Sequence, residues 1–490
     1  MVDPAHPPGT ASLMPDSRLP TSLADALTEI VGPRGILTAP ADIAPFCEDW
    51  RGLYHGQAAA VVRPASTEEC AAVVRLCGER RVGIVPQGGN TSMVGGATPD
   101  ETGAQIVLTL ARMTQLRAID PVDMTMIAEA GMPWQRAQDA AAEAGCLLPL
   151  SIGSEGTAQV GGILSTNAGG NNTVRYGNAR ELVLGLEAVL PDGQIWHGLR
   201  ALRKDNTGYA LRQLLLGAEG TLGIITAAVL RLVPQPRATE VAFCAVPSAE
   251  AALQLFTRIQ RGDPASLSAF EYMSGEGIGF VLRHIPDAKL PIATRAEHYV
   301  LIEVATAREG TALRDAFEAD LTEAIEAGEV EDATLAASSA QRAAMWRLRE
   351  EHSEAQKREG ASVKNDVSVP VSSVPTLIRE ASEAGRQLIP GIRPVPFGHM
   401  GDGNIHMNFE QPPEMPAADF LARAGELMDA VSAVVRRLGG SFSAEHGVGR
   451  LKPYMMPGWR GGAELDAMRR IKQALDPIGI MNPGKVLPEA

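Results

Sequence analysis

A chain of 490 residues is long enough for two or three domains, and 45% apolar content with only 4% aromatics asks for a core built on Ala, Val, Leu and Ile. A net charge of −14 excludes a nucleic-acid binder, which needs a basic face to displace counterions, and means that any anionic ligand must be met by a few clustered cations. The cysteines (Cys47, Cys70, Cys77, Cys146 and Cys244) fit neither a disulfide framework nor a zinc ribbon, so a reducing, cytoplasmic setting is expected, and no apolar run reaches the ~18 residues of a membrane span.

Residues 1–20 are rich in Pro, Ala and Ser without the apolar core of a secretory signal, and are expected to be disordered. Residues 58–90 read as strand, helix, strand. The first strand is Ala58 to Val62, Ser66 with Glu69 forms a capping box, and Val82 to Val85 is the second strand. That strand runs into Pro86-Gln87-Gly88-Gly89-Asn90-Thr91-Ser92, a loop at a strand's carboxyl end where α/β folds bind ligands. A denser loop follows at Gly153, Ser154, Gly156 and Thr157, then Gly161-Gly162 and Thr166-Asn167-Ala168-Gly169-Gly170. A hairpin is expected over 182–198, turning at Pro191-Asp192-Gly193, and Pro234-Gln235-Pro236 marks a domain boundary.

From 238 to 335 strand-like runs (240–246, 298–305) alternate with helix-like ones (248–260, 310–327), the pattern of a ferredoxin-like layer. Helices are expected over 339–360, 416–438 and in the tail from 463. The expected class is α+β: a disordered tail at 1–20, a two-subdomain cofactor domain at 21–237, a ferredoxin-like substrate and metal domain at 238–455, and a helical C-terminal cap at 456–490 that returns to the cofactor site.

The glycine loops match neither a P-loop nor a G-x-G-x-x-G fingerprint, so a Rossmann fold is not supported. Each loop alone reads equally well as a tight turn. Together, with Thr91, Ser92, Ser154 and Thr157 as extra donors, they suit a pyrophosphate held between backbone N–H groups. The strongest chemical signal is Gly398-His399-Met400-Gly401-Asp402-Gly403-Asn404-Ile405-His406-Met407-Asn408, paired with Ser443-Ala444-Glu445-His446-Gly447-Val448-Gly449. Two imidazoles and a carboxylate suit a divalent ion with an open position, zinc first and manganese as an alternative. If residues after 404 form a strand, His406 and Asn408 share a face, and on a strand Glu445 and His446 point to opposite faces. Arg349 and Ser353 are four apart on an expected helix, with Lys364 following. This is either a carboxylate clamp or a solvated helix face with ion pairs, and periodicity alone favours the latter.

With Arg175-Tyr176-Gly177 and Gly217-Ala218-Glu219-Gly220-Thr221-Leu222-Gly223-Ile224, these segments resemble the vanillyl-alcohol-oxidase/p-cresol-methylhydroxylase family of FAD proteins. Leu202-Arg203-Lys204-Asp205-Asn206-Thr207-Gly208-Tyr209 is similar to the members that oxidise D-2-hydroxyglutarate. The resemblance implies FAD held by the loops above together with Gly220, Ile224 and Asn482. The FAD is non-covalent, since Asn90 stands where some members carry the attaching histidine. It implies His399, His406 and Glu445 as metal ligands, His446 as the general base, and Arg349, Ser353, Lys364 and Asn408 as substrate contacts. The implied activity is oxidation of D-2-hydroxyglutarate, with D-malate or D-lactate as further substrates. A D-lactate or glycolate dehydrogenase subunit is the alternative. Electron-transfer flavoprotein or a quinone is the expected acceptor, and a homodimer the expected assembly.

Overall fold

The computed structural model describes residues 21–489, so the expected tail at 1–20 lies outside the described residues. The described chain divides into two compact units, one of residues 21–169, Asn178–Gln235 and from Glu445 on, the other of Gly170–Gly177 and Pro236–Ala444. One division between the units lies at Gln235/Pro236. The segment from Glu445 on lies in the first unit, which takes in the 456–490 segment expected to return to the cofactor site together with 445–455, and residues 170–177 lie apart from their flanks.

In the first unit a small sheet has the order β1-β2-β4-β3: β1 (Ile36–Leu37), β2 (Ala60–Val62), β3 (Ile84–Gln87) and β4 (Ile106–Thr109). β2 and β3 both run parallel to β4, so a crossover helix, α1 (Thr67–Arg80), joins them. α1 starts where the sequence says it should. Ser66 Oγ accepts the Glu69 N–H at 3.2 Å, and the Glu69 carboxylate reaches back to the Ala65 N–H at 2.7 Å. Its buried stripe is Cys70, Val73, Val74 and Cys77, and it ends on Arg81 in the left-handed conformation, φ 54°.

A second, antiparallel sheet has the order β5-β6-β9-β7-β8: β5 (Leu116–Asp120), β6 (Thr125–Glu129), β7 (Val183–Val189), β8 (Ile195–Gly198) and β9 (Ile224–Arg231). β7 and β8 are the expected hairpin. α2 (Val160–Thr166) packs against the central strand β9, which is therefore apolar almost throughout. The tail returns here as well. Ile84 N–H donates to Ile480 and Asn482 N–H to Ile84, so the chain end lies alongside β3 after α10, introduced below.

The second unit is built on one eight-stranded sheet. Its first part is β10 (Ala238–Val246), α3 (Ala249–Gly262), β11 (Leu267–Ser274), α4 (Gly275–His284), β12 (His298–Thr306), α5 (Ala312–Glu326) and β13 (Asp332–Leu335). The strand order β13-β10-β12-β11, all antiparallel, is the ferredoxin-like arrangement expected from the alternation. The helix expected over 339–360 is broken at Glu351 into α6 (Ser339–Glu350) and α7 (His352–Glu359). β14 (Ser362–Val363), β15 (Asp366–Ser368), α8 (Val374–Leu388), β16 (Arg393–Gly398) and β17 (Asn404–Glu410) then extend the sheet beyond β11 in the order β16-β17-β14, with β15 also on β17. α9 (Ala424–Arg437) packs on α8. A short helix, Ala417–Ala422, precedes it, so the helix expected over 416–438 is broken at Arg423. α10 (Ala463–Leu475) belongs to the first unit.

Candidate active site

In the first unit the glycine loops meet because glycine lets them. A Cβ on Gly89 would stand 2.0 Å from the Thr157 carbonyl oxygen, and one on Gly88 would stand 3.5 Å from Gly162 Cα. Gly161 backs onto Ala130, and Gly220, at φ 72°, packs on Pro86. Asn90 is left-handed, φ 53°, with its amide donating to the Glu48 carbonyl at 2.8 Å. Among the described residues the N–H groups of Gly89, Asn90 and Thr91 on one loop, and of Gly153, Ser154 and Gly156 on the other, have no protein acceptor. Two opposed rows of free N–H groups fit a pyrophosphate.

Ser92 Oγ turns inward to accept from Val94 and Gly96, and Thr166 Oγ1 donates back to the Gly162 carbonyl of its own helix. Asn167, left-handed at φ 50°, receives the Arg180 N–H. Gly169 lies beside Asn178 and Glu445, while Gly170 donates to Thr173 Oγ1. Ile224 opens β9 and is buried. Asn482 is buried and donates to the carbonyls of Gly96 (2.9 Å) and Glu219 (2.7 Å), while its Oδ1 is buried without a partner. A buried acceptor left open beside these loops needs a donor that the protein does not supply. On both counts the residues fit FAD.

Glu219 was missed in the sequence. Half-buried, its carboxylate accepts the Val448 and Gly449 N–H groups at 2.7 and 2.8 Å, and so fixes the turn that follows Glu445 and His446. Burial raises its carboxyl, and those two hydrogen bonds oppose the rise. Gly447 is required here, since a Cβ would stand 2.6 Å from Glu219 Oε1. Glu445 and His446 are half-buried and sit in irregular chain, so the alternation expected of a strand does not apply to them.

In the second unit, the His-rich segment forms β16, a one-turn 3₁₀ helix (Met400–Asp402) and β17. Gly403, at φ 87°, makes the tight return, and a Cβ there would meet the Val369 carbonyl at 2.1 Å. The turn brings the His399 and His406 rings to 6.0 Å between centroids. Glu445 follows Ala444 directly, and one donor atom from each of His399, His406 and Glu445 lies within 4.8 Å of the others. This donor set fits a divalent ion such as zinc.

His399 Nδ1 is hydrogen-bonded to Glu271 Oε1 at 2.8 Å, a carboxylate partner of the kind that fixes the orientation of a metal-binding imidazole. Glu271 lies in β11, every residue of which is buried, and its other oxygen takes Arg349 Nε at 2.7 Å. Burial would raise this carboxyl, but the charges of His399 and Arg349 bring it down to about 2. Arg349 is buried over the Phe397 ring at 5.0 Å. Ser353 is exposed at the start of the next helix, whereas Arg349, His352 and Gln356 are buried, so Arg349 and Ser353 do not share one face.

As expected, His406 and Asn408 share one face of β17, with Asn404 and Glu410. Asn408 is buried, donating to Gln356 Oε1 at 3.0 Å and accepting the Asn365 N–H at 3.1 Å. The pairings Val363↔Phe409 and Asp366↔His406 put half-buried Lys364 opposite Asn408. Burial, then the Arg349 charge, pushes the His352 imidazole down to about 3, so it is neutral.

Residues 58–198 match the model of an FAD binding domain, and residues 235–486 match that of the C-terminal domain of FAD-linked oxidases. The chain is 36% identical over 463 residues to a D-2-hydroxyglutarate dehydrogenase of Xanthomonas citri pv. viticola, covering 94% of this chain and 96% of that protein. It is 36% identical to the mitochondrial D-2-hydroxyglutarate dehydrogenase of Bos taurus, covering 98% and 87%. Solved structures of p-cresol methylhydroxylase with bound substrate (TM-score 0.72, 15% identity, 95% of this chain and 96% of that one) and of an alkyldihydroxyacetonephosphate synthase (TM-score 0.72, 18% identity, 95% and 85%) share the fold.

Proposed function

For a chain that belongs to the FAD-linked oxidase family, among relatives named D-2-hydroxyglutarate dehydrogenase, we propose FAD-dependent oxidation of D-2-hydroxyglutarate to the 2-oxo acid, assisted by a divalent metal. The observation that carries the reading is the Arg349–Glu271–His399 chain, in which one buried carboxylate orients both a candidate substrate cation and a candidate metal ligand. When bound, FAD would supply the hydride acceptor, and a divalent metal, for which His399, His406 and Glu445 would be the ligands, would supply Lewis acidity toward the substrate hydroxyl.

The protein's own groups do the rest. His446 takes the hydroxyl proton as general base, a role worth about 10²–10⁴-fold. Glu219 holds the turn that presents His446. Arg349 has only its Nε committed to Glu271, so its terminal nitrogens serve a substrate carboxylate, with Lys364 and Asn408 completing the contact. Ser353 is not needed for this clamp. Among the described residues no helix is long and apolar enough to cross a membrane. The acceptor is a soluble redox protein such as electron-transfer flavoprotein, or a quinone, and the compartment is cytoplasmic although some relatives are named mitochondrial.

The test is an anaerobic titration of the yellow protein with D-2-hydroxyglutarate, before and after EDTA treatment. Bleaching that EDTA prevents and Zn²⁺ restores supports the whole reading. Bleaching indifferent to EDTA removes the metal from it. Bleaching by D-lactate alone makes the protein a D-lactate dehydrogenase.

A further inference from the structure

Glu410 closes β17 and is the most isolated acid of the second unit. It is 0% exposed, and neither carboxylate oxygen has a hydrogen-bond partner. A carboxyl in that position costs several kcal/mol if ionised and unpaired, so its surroundings are informative. Its face of the sheet can be read from the register. Arg393 of β16 lies on one side and Ser362 of β14 on the other, and the next rung along holds Val395, Asn408 and Lys364.

Arg393 is the natural partner, yet its donors are spent elsewhere: Nη1 on Glu359 at 2.5 Å, Nε and Nη2 on the Gln411 carbonyl. Glu359 at the end of α7 is itself held by Arg283 and His284 of α4, and the one further charged group of α4 on this side, Glu276, lies 3.8 Å from Arg393 Nη1. The other groups that α7 presents to this face, His352 and Gln356, are neutral, and Gln356 is already bonded to Asn408. Lys364 is the remaining cation that acts on Glu410.

We propose that Glu410 gates Lys364: with its carboxyl protonated, the ammonium is given over to the substrate's distal carboxylate, and with it ionised, the ammonium is held by the protein's own acid. The proposal rests on the reading of Lys364 as a carboxylate contact. Glu410 is a positioning residue, since it acts through Lys364 and exchanges its proton with solvent. Burial pushes its carboxyl up to about 8 against the charges of Arg393 and Lys364, so the gate stands open at neutral pH and closes as pH rises through that value. A monocarboxylate substrate, which has no distal group, does not feel it.

The experiment follows KM for D-2-hydroxyglutarate and for D-lactate from pH 6.5 to 9.5 on the purified holoenzyme. In the wild type the ratio of the two KM values is expected to climb above about pH 8, approaching tenfold per pH unit. In Glu410→Gln it should stay flat at its low value. A flat wild-type ratio, or the same climb in Glu410→Gln, overturns the gate. Lys364→Ala separates the two levels of the argument. If it raises the ratio at pH 7 while Glu410→Gln keeps the wild-type climb, only the gate fails, and if it leaves the ratio untouched, the Lys364 contact fails. Should Glu410→Gln not fold, infrared spectra of the wild type give an independent answer. A protonated buried carboxyl band that disappears between pH 7 and 9 is expected, and its absence overturns the proposal.

Discussion

Replacing Glu271 by glutamine keeps the shape of β11 and removes one charge. The carboxylate is buried and uses one oxygen for His399 Nδ1 and the other for Arg349 Nε, both of which donate. A glutamine amide offers one oxygen and one NH₂, so one of the two donors is left facing another donor. In either orientation the buried Arg349 guanidinium loses its counter-ion, a change that costs about 3–5 kcal/mol. If the mismatched donor is His399, the ring loses the group that fixes its orientation, and metal affinity falls by about 10–100-fold. The expected result is a drop of about 3 kcal/mol in urea-unfolding free energy together with weaker metal binding, read by competition with a chromophoric chelator. FAD absorbance should persist, because the glycine loops belong to the other unit. A folded Glu271→Gln protein with wild-type metal affinity and stability within about 0.5 kcal/mol would refute the reasoning.

Gly89→Ala should lower the flavin-to-protein absorbance ratio and weaken FAD binding by at least about tenfold, since its Cβ would stand 2.0 Å from the Thr157 carbonyl and the loops would have to part. Full occupancy would mean that the loops do not close on the cofactor. His446→Ala should cut turnover by about 10²-fold or more while FAD stays bound, and a near wild-type rate would remove it as the base. Wild-type stability should decline as pH rises from about 4.5 towards 8. Over that window the native state keeps the Glu410 proton that the unfolded chain releases, a slope of about 1.4 kcal/mol per pH unit from this group. Unfolding free energies of Glu410→Gln should lack that component, and identical slopes in both proteins would count against a buried neutral carboxyl.

What the sequence made legible were features set within a few residues. The Ser66–Glu69 capping box, the 183–198 hairpin and the shared face of His406 and Asn408 follow from spacing alone. The sites that sequence reasoning missed are carboxylates whose meaning depends on distant chain. Glu271 meets residues 78 and 128 positions away, and Glu219 meets amides 229 and 230 positions on. A signal existed for Glu271, an acid within the apolar run Phe270-Glu271-Tyr272-Met273, because a central strand does not carry an unpaired charge. None existed for Glu410, whose isolation depends on where Arg393 turns its donors. Helical spacing counts residues and cannot see the break at Glu351, beyond which Ser353 is exposed while Arg349 is buried.

The return of the chain end to β3 bears on how the protein is made. Asn482 bonds the Gly96 carbonyl across 386 positions, and Ile480 and Asn482 extend the sheet from which the first glycine loop springs. During synthesis the loops at 86–92 and 153–157 emerge long before the segment that closes beside them. A nascent chain therefore carries an incomplete flavin pocket until the segment at 480–482 has left the ribosome. Loading of the cofactor has to wait for residues 480–482, and losing that short segment would harm flavin retention more than its length suggests.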